Sequence, residues 1–158
     1  MNMLVDGEWR KGAYDATNEE GEFDRSESEF RNWLDGSVAA AGEEPKPTAF
    51  APESGRYHLY ICRACPWAHR AAMTRQLRGL EDEISLSLVQ PERYDEGWEF
   101  SEEEPDPLHG YDYLREVYTH ADAEFTGRVT VPVLWDTQAE TIVNNESSEI
   151  MRMLDTAF

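Results

Sequence analysis

The chain has 158 residues, and its 33 acidic against 14 basic side chains give a formal net charge of −19. Such a surface repels nucleic acid and anionic lipid, so neither is expected as a partner. Only two of the basic residues, Lys11 and Lys46, are lysines. An acidic excess with arginine preferred over lysine indicates a halophilic protein, because a high-salt cytoplasm screens the self-repulsion of such a surface. An acidic mesophilic protein is the alternative.

The length predicts one domain with an appendage, and no membrane partner is expected. No window approaches the roughly 18 apolar residues of a membrane span, and the N-terminus lacks the basic and apolar regions of a secretory signal. These features predict a cytoplasmic location. Cys62 and Cys65 have C-x-x-C spacing, which in a reducing compartment indicates redox chemistry or metal binding and not a structural disulfide.

Residues 1–50 are interpreted as an acidic N-terminal arm and linker, and residues 51–158 as the domain. The arm is rich in Gly, Asn and Ser, and it ends in a linker-like run at 39–47. We expect residues 30–34 to form one helical turn that holds the arm against the domain. The isolated aromatic residues of the arm are Trp9, Tyr14, Phe23, Phe30 and Trp33.

The domain opens with a β-α-β unit. Residues 57–62 are a short aromatic and apolar run that predicts a buried strand. Pro66 suits the first turn of a helix, where a missing N–H costs nothing, and apolar residues at helical spacing continue to Leu80. The alternating residues 84–89 predict a second strand, which a right-handed crossover makes parallel to the first.

Cys65 lies in the turn between this first strand and the helix. The free N–H groups of a helix's first turn and the positive end of its dipole stabilise a thiolate, which is the reactive form of cysteine. Cys65 is therefore the candidate nucleophile, with an inert core thiol as the alternative. A zinc site is disfavoured, because its four ligands would have to converge from a strand and a helix. Those residues are His58, Cys62, Cys65 and His69.

A long irregular segment and an interrupted strand follow. Residues 90–110 are rich in Pro, Glu, Asp and Gly, and long loops in compact domains are more often functional than idle. Residues 111–118 predict a helix. Residues 129–135 predict a strand that Pro132 interrupts, and proline at such a place indicates a sheet edge, a bulge or a cis bond.

The end of the chain predicts a hairpin strand at 141–144 and a helix at 147–154. The element order is therefore β-α-β, loop and helix, then β-β-α. This is the order of the thioredoxin-like α/β fold, in which the redox cysteine precedes the first helix and a cis-proline precedes the facing hairpin strand. The sequence predicts that fold, with an extended N-terminal arm.

Three ordered motifs, at 64–70, 127–136 and 141–150, resemble the glutathionyl-hydroquinone reductases, which are the Xi class of glutathione transferases. The arm also resembles that family at 21–23 and 30–33. The resemblance implies an enzyme that removes glutathione from glutathionyl-hydroquinones. In such enzymes the cysteine that matches Cys65 attacks the adduct sulfur and forms a mixed disulfide, which a second thiol molecule resolves.

The resemblance also implies a glutathione site. The backbone of Val131 and Pro132 would pair with the cysteinyl part of the tripeptide as an added strand. Glu146 and Ser147, at a helix N-terminus, would hold its γ-glutamyl end. Trp98 matches the family's tryptophan beside the thiol.

Arg115 is the expected cation for the glycyl carboxylate, with Arg128 as its substitute. The expected co-substrate is glutathione or a related γ-glutamyl thiol, the other partners are quinone adducts, and no metal is expected. Cys62 has no counterpart in most family members, and Ala68 occupies the position of a resolving cysteine. A single-thiol enzyme is therefore predicted, in which Cys62 is a small buried side chain or, alternatively, a resolving or regulatory thiol.

Family members continue into an all-helical domain that carries the hydroquinone pocket and much of a dimer interface. That domain is absent here, so we expect a fragment of a longer, homodimeric protein in preference to a naturally short one. Two other functions stay open. One is a glutaredoxin-like general thiol transferase, and the other is a non-catalytic binding module that uses the thioredoxin fold.

Overall fold

The computed structural model describes residues 1–158 and contains a two-stranded hairpin, a four-stranded sheet and three helices. The strands are β1 (Met3–Val5), β2 (Glu8–Arg10), β3 (Tyr57–Ile61), β4 (Ser85–Leu88), β5 (Val133–Asp136) and β6 (Thr141–Asn144). The helices are α1 (Pro66–Leu77), α2 (Leu114–Ala121) and α3 (Ser147–Thr156).

The main sheet has the strand order β4-β3-β5-β6. All five residues of β3 are buried, because this strand lies between β4 and β5 and is covered by helices. β3 is parallel to β4 and antiparallel to β5, which in turn is antiparallel to β6. Helices α1 and α3 pack against each other, and α2 contacts β6. The predicted thioredoxin-like α/β fold is confirmed, including its parallel β-α-β unit.

Predicted boundaries were wrong by three residues or more in three elements. The first is α1, which ends at Leu77 and does not continue to Leu80. The strand predicted at 129–135 begins only at Val133, because Pro132 has no N–H to donate to a ladder; the Val131–Pro132 bond is cis. The helix predicted at 111–118 begins at Leu114. The Glu116 carboxylate starts the helix there, because it accepts the backbone N–H of Tyr113 at 3.0 Å.

The helical turn predicted at 30–34 is also wrong, because this segment is extended and lies along the sheet edge. Arg31 forms an antiparallel bridge with Asn144, and the N–H of Asn32 donates to the carbonyl of Val143 at 3.0 Å. The outer backbone groups of β6 thus find partners that a helical turn could not supply. The arm also adds Leu4 and Leu34 to the buried core.

The β1–β2 hairpin of the arm was not predicted, although its Asp6–Gly7 turn carries a local signal. Both residues have positive φ, 50° and 79°, as two-residue hairpin turns require. A Cβ on Gly7 would lie 1.9 Å from the carbonyl oxygen of Ala123. Glycine is therefore required there, and it lets the hairpin approach the end of α2 closely.

A buried ion pair joins the start of β3 to the end of β5. Arg56 donates to both carboxylate oxygens of Asp136, at 3.0 and 2.7 Å, and the carboxylate also accepts the N–H groups of Gln138 and Ala139. Burial raises the pKa of Asp136, but the hydrogen bonds from Arg56 and from the turn outweigh burial, and the pKa is lower than its ordinary value.

We expect Asp136→Asn to destabilise the chain by about 3 kcal/mol, because Arg56, only 10% exposed, loses its fully buried counter-charge and keeps only the half-exposed Glu53. The lowered pKa means that the wild-type pair contributes fully above the ordinary pKa of 3.8 and that this contribution is lost as pH falls through the folded-state pKa. Urea unfolding between pH 7 and acid conditions measures both effects. Glu53→Gln is the control: Glu53 pairs with the same arginine at 3.1 Å but is half exposed, so its loss should cost less than about 1 kcal/mol. Equal losses in the two variants would contradict this account.

Candidate functional site

Cys65 is the N-cap residue of α1, and Pro66 occupies the first helical position. The first turn of α1 contains no acidic residue, so nothing opposes the positive end of the helix dipole beside the thiol. Cys65 is partly exposed, whereas Cys62 is buried, and both are free thiols. The Cys62 sulfur lies 3.7 Å from the carbonyl oxygen of Gln90. The predicted position of Cys65 between a strand and a helix is therefore the observed one.

Val131 supplies a free piece of backbone directly opposite the thiol. The Cys65 sulfur lies 3.9 Å from the Val131 carbonyl oxygen, and Val131 makes no other hydrogen bond through its N–H or C=O. The residue is nevertheless buried, with 5% of its surface exposed. Buried backbone groups are nearly always paired, so this N–H and C=O are available to an extended ligand.

Two adjoining cavities lie on either side of Val131. The polar cavity, about 250 Å³, is bounded by residues 25–28 of the arm, the start of α1, residues 130–132 and the start of α3. The thiol cavity, about 220 Å³, contains Cys65 and Trp98 and is mostly apolar. Both cavities share Arg25, Trp67, Arg128, Thr130 and Val131.

Glu146 and Ser147 lie at the N-terminus of α3 and line the polar cavity. The Glu146 side chain accepts from the N–H of Ser148 at 3.3 Å and from the Ser28 hydroxyl at 3.1 Å. The Ser147 hydroxyl accepts from two nitrogens of Arg70, at 3.0 and 2.8 Å. This end of the cavity thus presents a carboxylate, a guanidinium and a hydroxyl beside a helix N-terminus.

Sequence reasoning missed Arg70 and the arm residues at this site. Arg70 follows Trp67 by three residues in α1, and its guanidinium lies 5.1 Å from the centre of the indole ring. That spacing places two side chains on one helix face and could have identified Arg70. Ser28 and Arg25 had no comparable signal, because only the path of the arm brings them to the cavity.

The structure does not bring Arg115 to either cavity. Its guanidinium donates to the carboxylate of Glu96 at 2.7 Å and stacks 4.1 Å from the centre of the Tyr113 ring. The hydrogen bond from Arg115 lowers the pKa of Glu96. Arg115 is therefore already engaged outside the cleft.

Arg128, the substitute, lines both cavities and pairs with no carboxylate. It donates to the hydroxyl and the carbonyl of Ser26 at 3.1 and 2.7 Å. Burial lowers the pKa of Arg128, and the neighbouring charge of Arg25 lowers it further. The negative charge of a bound anion would oppose both effects, because it favours the charged form of the arginine.

The remaining side chains differ in their relation to the thiol. Trp98 lines the thiol cavity, and its buried indole N–H has no hydrogen-bond partner. Trp67 lines both cavities and is half exposed, whereas Trp135 is fully buried. His69 is exposed. The ring nitrogens of His58 contact two serine hydroxyls, so both nitrogens of this ring already have partners, and burial lowers its pKa to about 4.

Comparison with known proteins agrees with this geometry. Residues 64–157 match the family model "Glutathione S-transferase, N-terminal domain". The chain is 48% identical to the glutathionyl-hydroquinone reductase YqjG of Escherichia coli over 100% of this chain and 49% of that protein.

Solved structures of glutathione transferases are also similar to this chain. An Xi class glutathione transferase from Natrialba magadii superposes with a TM-score of 0.81 and 52% identity, over 100% of this chain and 45% of that one. The glutathione-bound structure of YqjG from Escherichia coli superposes with a TM-score of 0.79 and 43% identity, over 99% of this chain and 46% of that one.

The chain therefore belongs to the glutathione S-transferase family, of which it contains the N-terminal, thioredoxin-like domain. The resemblance to the Xi class and to the glutathionyl-hydroquinone reductases is confirmed. The chain spans about half the length of the curated relatives it matches. No helix is both long enough and apolar enough to cross a membrane.

Proposed function

We propose that this chain is the glutathione-binding and thiol-exchanging half of an enzyme that removes glutathione from glutathionyl-hydroquinones. One observation carries the proposal: a partly exposed thiol at a helix N-terminus lies 3.9 Å from the carbonyl of Val131, whose backbone is otherwise unpaired. An extended peptide that pairs with Val131 brings its own sulfur to Cys65. Glutathione is such a peptide, and a related γ-glutamyl thiol would bind in the same way.

The tripeptide lies across both cavities in this proposal. Its cysteinyl N–H and C=O pair with Val131, beside Pro132. The α-carboxylate of its γ-glutamyl residue accepts from the N-terminus of α3 near Ser147, and its ammonium group pairs with Glu146. The polar cavity supplies these groups, while the Trp98 ring bounds the thiol cavity beside the sulfur.

Arg128 binds the glycyl carboxylate, in place of Arg115. Support comes from position and charge, since Arg128 lines both cavities without a carboxylate partner. Arg25, Arg70 and Arg93 also border this cleft. The chain as a whole has a net charge of −19 and repels anions. The grouped arginines make the cleft locally positive, so an anion is attracted there.

The Cys65 thiolate attacks the sulfur of the glutathionyl adduct. The new S–S bond forms as the carbon–sulfur bond breaks, and the aromatic carbon keeps the bonding electrons and takes a proton to give the free hydroquinone. A second glutathione thiolate then attacks the mixed disulfide, which releases oxidised glutathione and restores Cys65. The adduct is reduced, and two glutathionyl sulfurs are oxidised to one disulfide.

Residues 51–158 are the thiol-binding domain in this proposal, and residues 1–50 are an arm that closes the polar cavity through Arg25 and Ser28. The pocket for the hydroquinone ring and the interface of a homodimer belong to the half of the relatives that this chain does not span. The domain alone therefore exchanges thiols, and the full-length protein selects the quinone.

Incubation with oxidised glutathione should give one mixed disulfide per chain, located at Cys65, because that thiol is accessible and its neighbour Cys62 is buried. Intact mass and peptide mapping measure the adduct. Cys65→Ser should remain unmodified under native conditions, and Cys62→Ser should react as the wild type does. An adduct at Cys62 in the native wild type would contradict the mechanism.

The full-length protein should release free hydroquinone from a glutathionyl-hydroquinone in the presence of glutathione, and Cys65→Ser should abolish this release. Chromatography of the quinone products measures the reaction. A small mixed disulfide is the comparison substrate. If the full-length protein reduced that disulfide but not the hydroquinone adduct, a glutaredoxin-like transferase would be the better description. Unchanged activity in Cys65→Ser would exclude thiol catalysis.

Arg128→Gln should weaken the binding of reduced glutathione by about 10- to 100-fold, the effect of losing one charged hydrogen bond. Calorimetry under reducing conditions measures the affinity, and the matched control Arg115→Gln should leave it nearly unchanged. Glutathione esterified at the glycyl carboxylate should bind the wild type as weakly as glutathione binds Arg128→Gln. The two changes should not add, because they remove the same contact. Full additivity, or a larger effect of Arg115→Gln, would reassign the cation.

A further inference from the structure

Three side chains with metal-binding groups meet outside the cleft. His109 lies in the loop before α2, His120 in the last turn of α2, and Glu140 in the turn between β5 and β6. The Nε2 atoms of the two histidines lie 3.9 and 3.8 Å from the same carboxylate oxygen of Glu140. One ligand atom from each residue lies within 4.8 Å of the others. Two of the four histidines of the chain are therefore found at one point.

Aromatic packing holds both imidazole rings in place. Each ring lies edge-on to the buried Trp135, with ring centres 5.4 and 5.3 Å apart and interplanar angles of 82°. Tyr111 stacks on His109 with ring centres 5.1 Å apart. Because these contacts restrict the rings before any ligand arrives, little conformational entropy remains to be lost on binding.

The second ring nitrogens face groups that orient them. The hydroxyl of Tyr111 lies 2.8 Å from Nδ1 of His120, so an Nδ1–H donated there leaves the Nε2 lone pair free. Nδ1 of His109 is buried without a hydrogen-bond partner, and it lies 3.9 Å from the buried carboxylate of Asp106. Outer contacts of this kind set the tautomer of metal-bound histidines.

We propose that His109, His120 and Glu140 bind a divalent transition-metal ion, with zinc as the reference case. Two imidazoles and one carboxylate suit such ions better than magnesium or calcium, which prefer oxygen ligands. Bonds of about 2.0–2.2 Å to a tetrahedral ion bring ligand atoms to about 3.4 Å from one another. The Glu140 oxygen starts 3.9 and 3.8 Å from the two nitrogens, and its side chain is 62% exposed, so it is free to move toward them. Water completes the coordination.

This site lies at the opposite end of the sheet from the thiol. β3 and β5 are antiparallel, with Tyr57 paired to Asp136 and Tyr60 paired to Val133. The turn that carries Glu140 follows Asp136 and is therefore near the start of β3, whereas Cys65 follows its end. A bound ion would join the long loop, α2 and the β5–β6 turn, three segments that are distant in sequence, and so would stabilise the fold without entering the redox chemistry.

The test uses the untagged chain with its accessible thiol blocked by iodoacetamide, so that cysteine cannot bind the metal. Calorimetric titration with Zn²⁺ should give one ion per chain, and the midpoint of thermal unfolding should rise. Glu140→Ala and His120→Gln should each weaken binding at least about tenfold and remove the thermal shift, whereas His69→Gln should change neither. Tyr111→Phe should weaken binding about tenfold through the orientation of His120.

Glu140 is exposed, so Glu140→Ala should fold as the wild type does. Equal midpoints of thermal unfolding for the two proteins in EDTA would show that the variant is folded and has lost only the metal. Stoichiometric binding that survives both Glu140→Ala and His120→Gln would overturn the proposal, as would its loss in His69→Gln. Failure of the wild type to bind one ion would show that the three residues form only a polar contact. None of these outcomes bears on the proposed thiol exchange, which depends on Cys65.

Discussion

The structure depends on the interruption of one strand by a proline beside the thiol. Pro132 cannot donate to a ladder, so β5 begins at Val133 and the backbone of Val131 is left without protein partners. The turn from β3 into α1 places Cys65 against that backbone, 3.9 Å from its carbonyl. Unpaired backbone and a partly exposed thiol therefore lie at one point. Neither feature alone would indicate a site for a thiol-containing peptide. Unpaired backbone can bind a peptide but cannot react with its sulfur, and a thiol without that backbone has nothing to position the sulfur beside it.

Charge distribution complements this geometry. An excess of acidic groups over the whole chain would repel an anionic tripeptide, yet arginines from α1, from the arm and from the segment before β5 converge at the cleft. The arm contributes to the site and to the sheet at once. Arg31 pairs with Glu149, and the adjacent backbone extends the ladder of β6. These contacts place residues 25–28 beside the N-terminus of α3. The attachment of the arm to the sheet therefore also forms one wall of the polar cavity.

The opposite end of the same two strands has a different character. There Arg56 and Asp136 form a buried ion pair, and Trp135 supports the two histidine rings near Glu140. Buried charges persist only with satisfied partners, and here the turn after β5 supplies them. The sheet thus separates the thiol end, where the backbone of Val131 is left unpaired, from an end at which the buried charges of Arg56 and Asp136 are paired.

The sequence alone determined the features that depend on near neighbours in the chain. The order of elements after residue 56, the position of Cys65 before Pro66, the interruption of a strand at Pro132 and the start of a helix at Ser147 all follow from short patterns. Tertiary packing decided the rest. It engaged Arg115 with Glu96 and brought Arg128 to the cleft, laid the arm along β6, and joined His109, His120 and Glu140. These outcomes depend on strand register and on contacts between segments that are distant in sequence. A short sequence pattern contains no information about the energies of such contacts.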